Sequence, residues 1–295
     1  MISYFKRHEL DEEKYNNCIK SALNSRIYAY SWYLDCVADN WDVLVMNDYE
    51  AVMPLPWRSK YFIKYIYPPA WTQQLGVFSK NIISQNLLKE FITVIPKKFK
   101  KITIQFNSGN DVSFLNTTKR INYILPLNRF YDEIYKGFNK NRKRDLTRSE
   151  GIAFELDKNV KAFDFFNFFE NTSKNFSLNS NGIQALRKIC NFRNAQVNIW
   201  GIRVNSILYC SLLWLKDDDR ITYLLPLATT EAKKNGFPTK LVVELIANHH
   251  NSNYILDFEG SMIPNVANFY KSFGVIEEDY HLYSKKSYLM VFKLF

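Results

Sequence analysis

Cysteine is scarce in this chain of 295 residues: Cys18, Cys36, Cys190 and Cys210 are the four present, and no two stand as C-x-x-C. Histidine is as sparse, with four residues of which His249 and His250 are adjacent. Neither a disulfide framework nor a zinc spacing can be drawn from so few ligands, so no metal is expected. No cysteine has a His or Lys beside it in sequence to favour a thiolate. Each is expected to be a buried thiol. Glycine and proline number nine each, too few for collagen-like or low-complexity sequence. No apolar run approaches the roughly 18 residues of a membrane span. Residues 1–10 hold Lys6, Arg7, His8 and Glu9 and lack the apolar core of a signal peptide, so a cytoplasmic location is expected. Acid is the minority charge: 29 Asp and Glu against 39 Lys and Arg leave a net charge of +10.

What is present is apolar and aromatic. Hydrophobic residues make up 47% of the chain and aromatics 16%, which excludes disorder. A chain of this length can bury roughly 75% of its unfolded surface and needs no staples. It can form one large domain or two ordinary ones. The positive charge is uneven. Lys97, Lys98, Lys100 and Lys101 form one cluster; Lys136, Lys140, Arg142, Lys143, Arg144 and Arg148 form a denser one around Asp145. Either can be a solvated face. The second also suits an anionic partner such as phosphate, nucleic acid or lipid.

Two halves follow a similar order of elements. In the first, residues 29–37 read as a short helix, 41–46 and 49–56 as strands around the turn Asn47-Asp48, 82–95 as a helix stopped by Pro96, and 101–106 and 121–127 as strands. Pro54 and Pro56 should push their strand to an edge or end it. Residues 130–150 read as one helix: Phe130, Ile134 and Phe138 make an apolar stripe, Lys136, Lys140, Lys143 and Arg144 fall on another face, and Gly151 is placed as a left-handed cap. The second half gives helices at 160–172, with Phe163, Phe166 and Phe169 on related turns, and at 183–192. Strands follow at 197–204, 207–215 and 221–227, then a helix at 239–250, a strand at 254–258, a helix at 264–273 and strand again over 280–292. Strand–helix–strand after a meander means a mixed α/β sheet with helices on its faces. Two similar domains in tandem are expected, residues 1–125 and 126–295, with their junction near 120–130 and no Gly/Ser-rich linker.

The element order is similar to that of the Gcn5-related N-acetyltransferase (GNAT) fold. The segment 256–274, LDFEGSMIPNVANFYKSFG, resembles the last strand–helix unit of that superfamily, with Ala267, Tyr270 and Gly274 in place. Asn265 sits two residues later than the usual Asn, and Val275 stands where an aromatic is common. Two such domains with a basic helix between them resemble the FemAB-like branch, which adds amino acids from aminoacyl-tRNA to peptidoglycan precursors. Residues 138–146, FNKNRKRDL, resemble its basic interdomain helix, and 71–77, WTQQLGV, a segment of its first domain.

The resemblance implies an N-acyltransferase, its first domain on the substrate side and its second catalytic. An attacking amine must lose a proton, and the leaving group needs one. Tyr270 matches the position of a Tyr that protonates the leaving group. Glu259, at the end of a strand and expected to share a face with Asp257, is a candidate base; Glu231 is a weaker one. Backbone N–H groups of a splayed central strand would hold the oxyanion. In the superfamily a donor pyrophosphate sits on a Q/R-x-x-G-x-G/A loop at a helix N-terminus. Here Lys233, Lys234, Asn235, Gly236, Phe237 and Thr239 occupy that stretch as the candidate donor-binding residues, with Lys for Gln/Arg, and with Pro238, which has no N–H, in the last key position. Each feature has a plainer reading as a turn, a packed aromatic or a helix cap. Trp71, Gln73 and Gln74 suit a polar sugar or peptide, or a packed loop; Arg142 and Arg144 suit a phosphate. His249-His250 is structural. The expected co-substrate is acyl-CoA or aminoacyl-tRNA, with no tightly bound cofactor. The expected acceptor is an amine of a small polar or cell-envelope precursor. The alternative is a non-catalytic protein that contacts tRNA or an anionic surface through the basic helix.

Overall fold

A computed structural model describes residues 1–172, 174, 177–192, 194–260 and 263–286. The chain divides into two compact units: Met1–Arg120 joined by the chain from Asp279 onward, and Ile121–Glu278. Residues 279–286 therefore group with the first unit.

The first unit holds β1 (Ile2–Lys6), α1 (Glu12–Ser21), α2 (Ser31–Val37), β2 (Asn40–Met46), β3 (Ala51–Lys60), β4 (Ile63–Ile66), β5 (Phe78–Ser79), α3 (Gln85–Thr93) and β6 (Phe99–Phe106). From β7 (Thr117–Pro126) the chain enters the second unit. There follow α4 (Tyr131–Lys136), α5 (Lys140–Glu150), β8 (Glu155–Asp157), α6 (Ala162–Asn171) and α7 (Ser180–Asn191). The remainder is β9 (Val197–Val204), β10 (Ile207–Lys216), β11 (Arg220–Ala228), α8 (Thr230–Lys234), α9 (Phe237–Ala247), β12 (Ile255–Asp257), α10 (Pro264–Lys271) and β13 (Ile276–Lys286).

In the first unit β1, β2, β3 and β4 pair antiparallel in turn, β4 pairs β6 parallel, and residues 281–286 of β13 pair β6 antiparallel. Ser84 starts α3 by accepting from the Leu87 N–H at 3.2 Å. Leu88 and Phe91 of that helix pack with Leu44, Met53, Ile66 and Phe106 in the core. β3 does not stop at its prolines. It is an inner strand, and Pro54 and Pro56 fall between Ala51–Val52, which pair β5, and Trp57 onward, which pairs β4. In that gap no ladder bond is required of a residue lacking an N–H.

In the second unit the strand order is β7, β12, β11, β10, β9, β8. β9, β10 and β11 form an antiparallel meander. β11 and β12 are parallel, as a strand–helix–strand connection through α8 and α9 requires. Leu241, Val242, Leu245 and Ile246 of α9 pack with Leu212, Trp214 and Leu256 in its core.

Several expectations are corrected. Residues 130–150 form two helices, because the chain turns at Gly137 and restarts where the Asn139 side chain accepts from the Arg142 N–H at 3.0 Å. Phe130 is exposed and leaves the apolar stripe; Ile134 and Phe138 are buried. Gly151 has φ −76°, not the left-handed value. Phe163 points to solvent while Phe165, Phe166 and Phe169 are buried. Three cysteines are buried and Cys190 is partly so. Burial pushes the Cys18 thiol up to about 11, and Cys190 and Cys210 upward as well, away from thiolate chemistry. The final strand begins at Ile276, and its expected extension past residue 286 lies outside the described residues.

Candidate active site

The second unit contains a fork in its sheet. β11 and β12 share only three residue pairs: Arg220↔Ile255, Ile221↔Leu256 and Thr222↔Asp257. Beyond Thr222 the strands part. β11 runs on to Ala228 against β10 alone, while the chain after Asp257 turns through Glu259, whose φ is +60°. At the same level β11 bulges. Leu215 opposes Thr222 but Leu213 opposes Leu225, so Tyr223 and Leu224 carry an extra residue relative to β10. A bulge frees backbone groups from the ladder. Here it lies where β12 has parted, so that among the described residues the β11 edge beyond Thr222 has no strand paired on that side.

The stem of the fork is clamped by charge. Arg220 Nη1 donates to Asp257 Oδ2 at 2.6 Å, and Nη2 to Glu278 Oε1 at 3.1 Å. Asn122 on β7 donates to Asp257 Oδ1 at 2.9 Å and to Glu278 Oε2 at 3.2 Å. Arg220, Asp257 and Asn122 are buried. Desolvation works against the Arg220 charge, but Asp257 and Glu278 outweigh it and hold its pKa above the ordinary arginine value. Asp257 is thus tied into the stem by Arg220 and Asn122. It does not share a strand face with Glu259, which lies past the strand end and donates its own N–H to Asp257 Oδ1 at 2.8 Å.

The mouth of the fork is aromatic. Tyr270 on α10 has its ring 5.1 Å from Phe258, 5.9 Å from Tyr223 and 6.5 Å from Tyr123. Pro264 opens α10 in its first turn. Burial, then the nearby charge of Glu259, raises the Tyr270 phenol above the usual tyrosine range, so it stays protonated at neutral pH. The fold therefore brings Tyr270 and Glu259 within electrostatic reach of each other. Glu231, the weaker base candidate, is exposed on α8.

The stretch 233–239 is not a free loop. Lys233 and Lys234 are exposed at the end of α8, and Asn235 caps that helix. Gly236, at φ +78°, is the N-cap of α9 and lies against α5: a Cβ there would stand 2.1 Å from the Asp145 carbonyl oxygen. Phe237 is buried against Phe154 and Tyr209. Thr239 is buried and donates to Asp145 Oδ2 at 3.0 Å. Arg142 is held in the same place. Its guanidinium donates to Thr239 Oγ1 at 2.8 Å, pairs with Asp145 at 2.9 Å and lies 4.6 Å over the Phe269 ring. Burial lowers its pKa. A coenzyme A pyrophosphate needs open N–H groups at this helix end. Here α5 covers the N-cap and Pro238 has no N–H to offer, so the residues present do not fit that group. Arg144 is exposed, bonded to Asn141 at 3.2 Å, with Lys140 and Arg148 also on the open face of α5.

The first unit has a separate concavity, lined by Pro54, Tyr67, Thr72, Gln73, Gln74, Thr103 and Gln105. Gln73 is held by its backbone carbonyl, which accepts from Gln105 Nε2 at 2.6 Å. Gln74 is fully buried and donates to Gln73 Oε1 at 2.7 Å, but its own Oε1, with Thr72 Oγ1 and Thr103 Oγ1, has no hydrogen-bond partner among the described residues. Trp71 precedes them at φ +65°, its carbonyl accepting from the Tyr33 hydroxyl. Trp71, Gln73 and Gln74 thus lie together in the first unit. Among the described residues no His, Cys, Asp and Glu cluster could hold a metal, and no helix is long and apolar enough to cross a membrane.

Sequence reasoning missed Arg220, Asn122 and Glu278. Asn122 was the one amide in the apolar run 121–127, and Arg220 followed three acids at a strand start; both are weak signals of a buried pair.

No family model matches this chain, and no curated protein matches its sequence. Solved structures do match its fold. A FemX crystal structure aligns at TM-score 0.69 with 9% identity, over 92% of this chain and 96% of the other. The C-terminal domain of a putative lysylphosphatidylglycerol synthetase from Agrobacterium fabrum aligns at 0.56 with 11% identity, over 92% and 90%. L-PGS from Bacillus licheniformis aligns at 0.54 with 10% identity, over 94% and 92%. The mixed α/β architecture, the forked strands and these likenesses together show that the chain shares its fold with FemX and with these synthetase structures.

Proposed function

We propose that the protein transfers an aminoacyl group from an ester donor, such as aminoacyl-tRNA, to an amine of a small polar or cell-envelope precursor. The observation that carries this is the fork: a bulged β11 with freed backbone groups, beside a protonated Tyr270 and the carboxylate of Glu259. The amine nitrogen attacks the ester carbonyl carbon. Backbone N–H groups at the bulge face the developing oxyanion, a role in which fixed dipoles act strongly. Glu259 takes the proton that the amine loses. As the carbon–oxygen bond breaks, Tyr270 gives its proton to the leaving oxygen and regains one from Glu259. The pair thus ends in its starting state.

An ester donor is favoured over a thioester of coenzyme A by the α9 N-terminus, where Gly236 packs on Asp145. One fold neighbour is a domain of a putative lysylphosphatidylglycerol synthetase, which supports reading the donor as an aminoacyl ester.

A thermal-shift comparison of aminoacylated total tRNA, uncharged tRNA, acetyl-CoA and coenzyme A tests the donor class. Aminoacylated tRNA is expected to raise the melting temperature most, with no shift from either coenzyme A compound. A shift with acetyl-CoA alone contradicts the proposal.

A further inference from the structure

Among the described residues, two hairpins turn through two residues that are both left-handed. The β9–β10 turn is Asn205 and Ser206, with φ of 48° and 65°. The β3–β4 turn is Tyr61 and Phe62, with φ of 50° and 63°. Both need left-handed backbone at both positions, a conformation that Asn and Gly accept and bulky side chains resist. Asn205 fits that demand. Tyr61 and Phe62 do not, and no packing repays them: Tyr61 is 82% exposed and Phe62 is 103% exposed. The turn therefore holds two aromatic rings out in solvent, adjacent and at the tip of a hairpin, against its own backbone preference.

The surroundings are basic. Residues 51–110 contain nine Lys and Arg and a single acid, Glu90. Lys60 Nζ stands 5.3 Å from the Tyr61 ring centroid, and Lys64 lies on the returning strand, 4.5 Å over Trp57. Ladder pairing of Lys64 with Phe99 and of Tyr65 with Lys101 brings the 97–101 lysine cluster alongside the hairpin. Of that cluster Lys98 has an ion-pair partner, Asp42 at 3.6 Å. Aromatic rings favour the headgroup level of a bilayer, and lysines beside them favour anionic lipid.

We infer that the β3–β4 hairpin is an interfacial anchor. Tyr61 and Phe62 enter the headgroup region of an anionic membrane, and Lys60, Lys64 and the 97–101 lysines meet its phosphates. This reading is independent of the chemistry proposed for the fork. It assigns the surface contact to the hairpin, whereas the sequence placed it on the basic helix.

Vesicle co-sedimentation of the full chain tests it, with phosphatidylcholine alone and mixed with phosphatidylglycerol. Wild type is expected to sediment with the anionic vesicles and to be released by salt. The double variant Tyr61→Asn/Phe62→Gly suits the turn better, so it is expected to melt at a higher temperature while its vesicle partitioning falls about ten-fold or more. Phe62→Trp places a reporter at the tip, and its emission is expected to shift to the blue on vesicle addition. Absence of wild-type sedimentation, full binding by the double variant, or an unmoved Phe62→Trp emission overturns the inference. So does a result in which the double variant loses binding to tRNA while keeping its binding to vesicles.

Discussion

Burying a guanidinium is unfavourable unless carboxylates meet it, and Arg220 meets two. Removing one side of such a pair leaves the other charged and desolvated. Arg220→Ala is therefore expected to lower stability by about 3–5 kcal/mol, read by urea denaturation. A loss under 1 kcal/mol, on the order of an exposed pair, contradicts the burial. Arg142 teaches a related point. It stands in a run of cations, yet it faces inward to Asp145 and Thr239. His249 is the residue through which pH should act. Its ring packs between Trp214 and Tyr254 at 5.6 and 5.7 Å. Burial, the leading influence, together with Lys216 and Lys158, outweighs the bond to the Leu245 carbonyl and lowers its pKa in the fold. The neutral ring is thus the folded form. Its contribution is complete above the unfolded value of about 6.5 and is lost as pH falls below that through the folded value. Melting temperature should decline over that range in wild type and decline less in His249→Gln.

The elements differ in how far sequence disclosed them. Helices and strands with their own periodicity, such as α9 and the β9–β10–β11 meander, were legible because the pattern is local. The break between α4 and α5 was not, since Gly137 and Asn139 interrupt a stripe that otherwise continues. Nor was the covered start of α9: a Gly before a helix reads alike whether a ligand or another helix meets it. The contact itself decides, and it gives an element-scale prediction. Gly236→Ala meets both a left-handed φ and the Asp145 carbonyl, so a loss of at least about 2 kcal/mol is expected by denaturation. An unchanged midpoint would mean that α5 does not rest there. The fork was foreseeable only as a family resemblance, because pairing and bulge are set by residues far apart in sequence.

For the molecule as a whole, scarcity and surplus have become separate statements. Cysteines and histidines are few, and the charge of Glu259 reaches Tyr270, the pair proposed here for the transfer. Basic residues gather on the open face of α5 and along residues 51–110 of the first unit. Two compact units, each with its own core, carry these features. The central claim is aminoacyl transfer at the fork. The most direct measurement follows label from aminoacylated total tRNA, and in parallel from acetyl-CoA, into a small-molecule cell extract. It compares wild type with Tyr270→Phe and Glu259→Gln. The expected result is label leaving tRNA and not acetyl-CoA, with each variant slower by about 10²-fold or more and still folded. Transfer from acetyl-CoA alone, or wild-type rates in both variants, would contradict it.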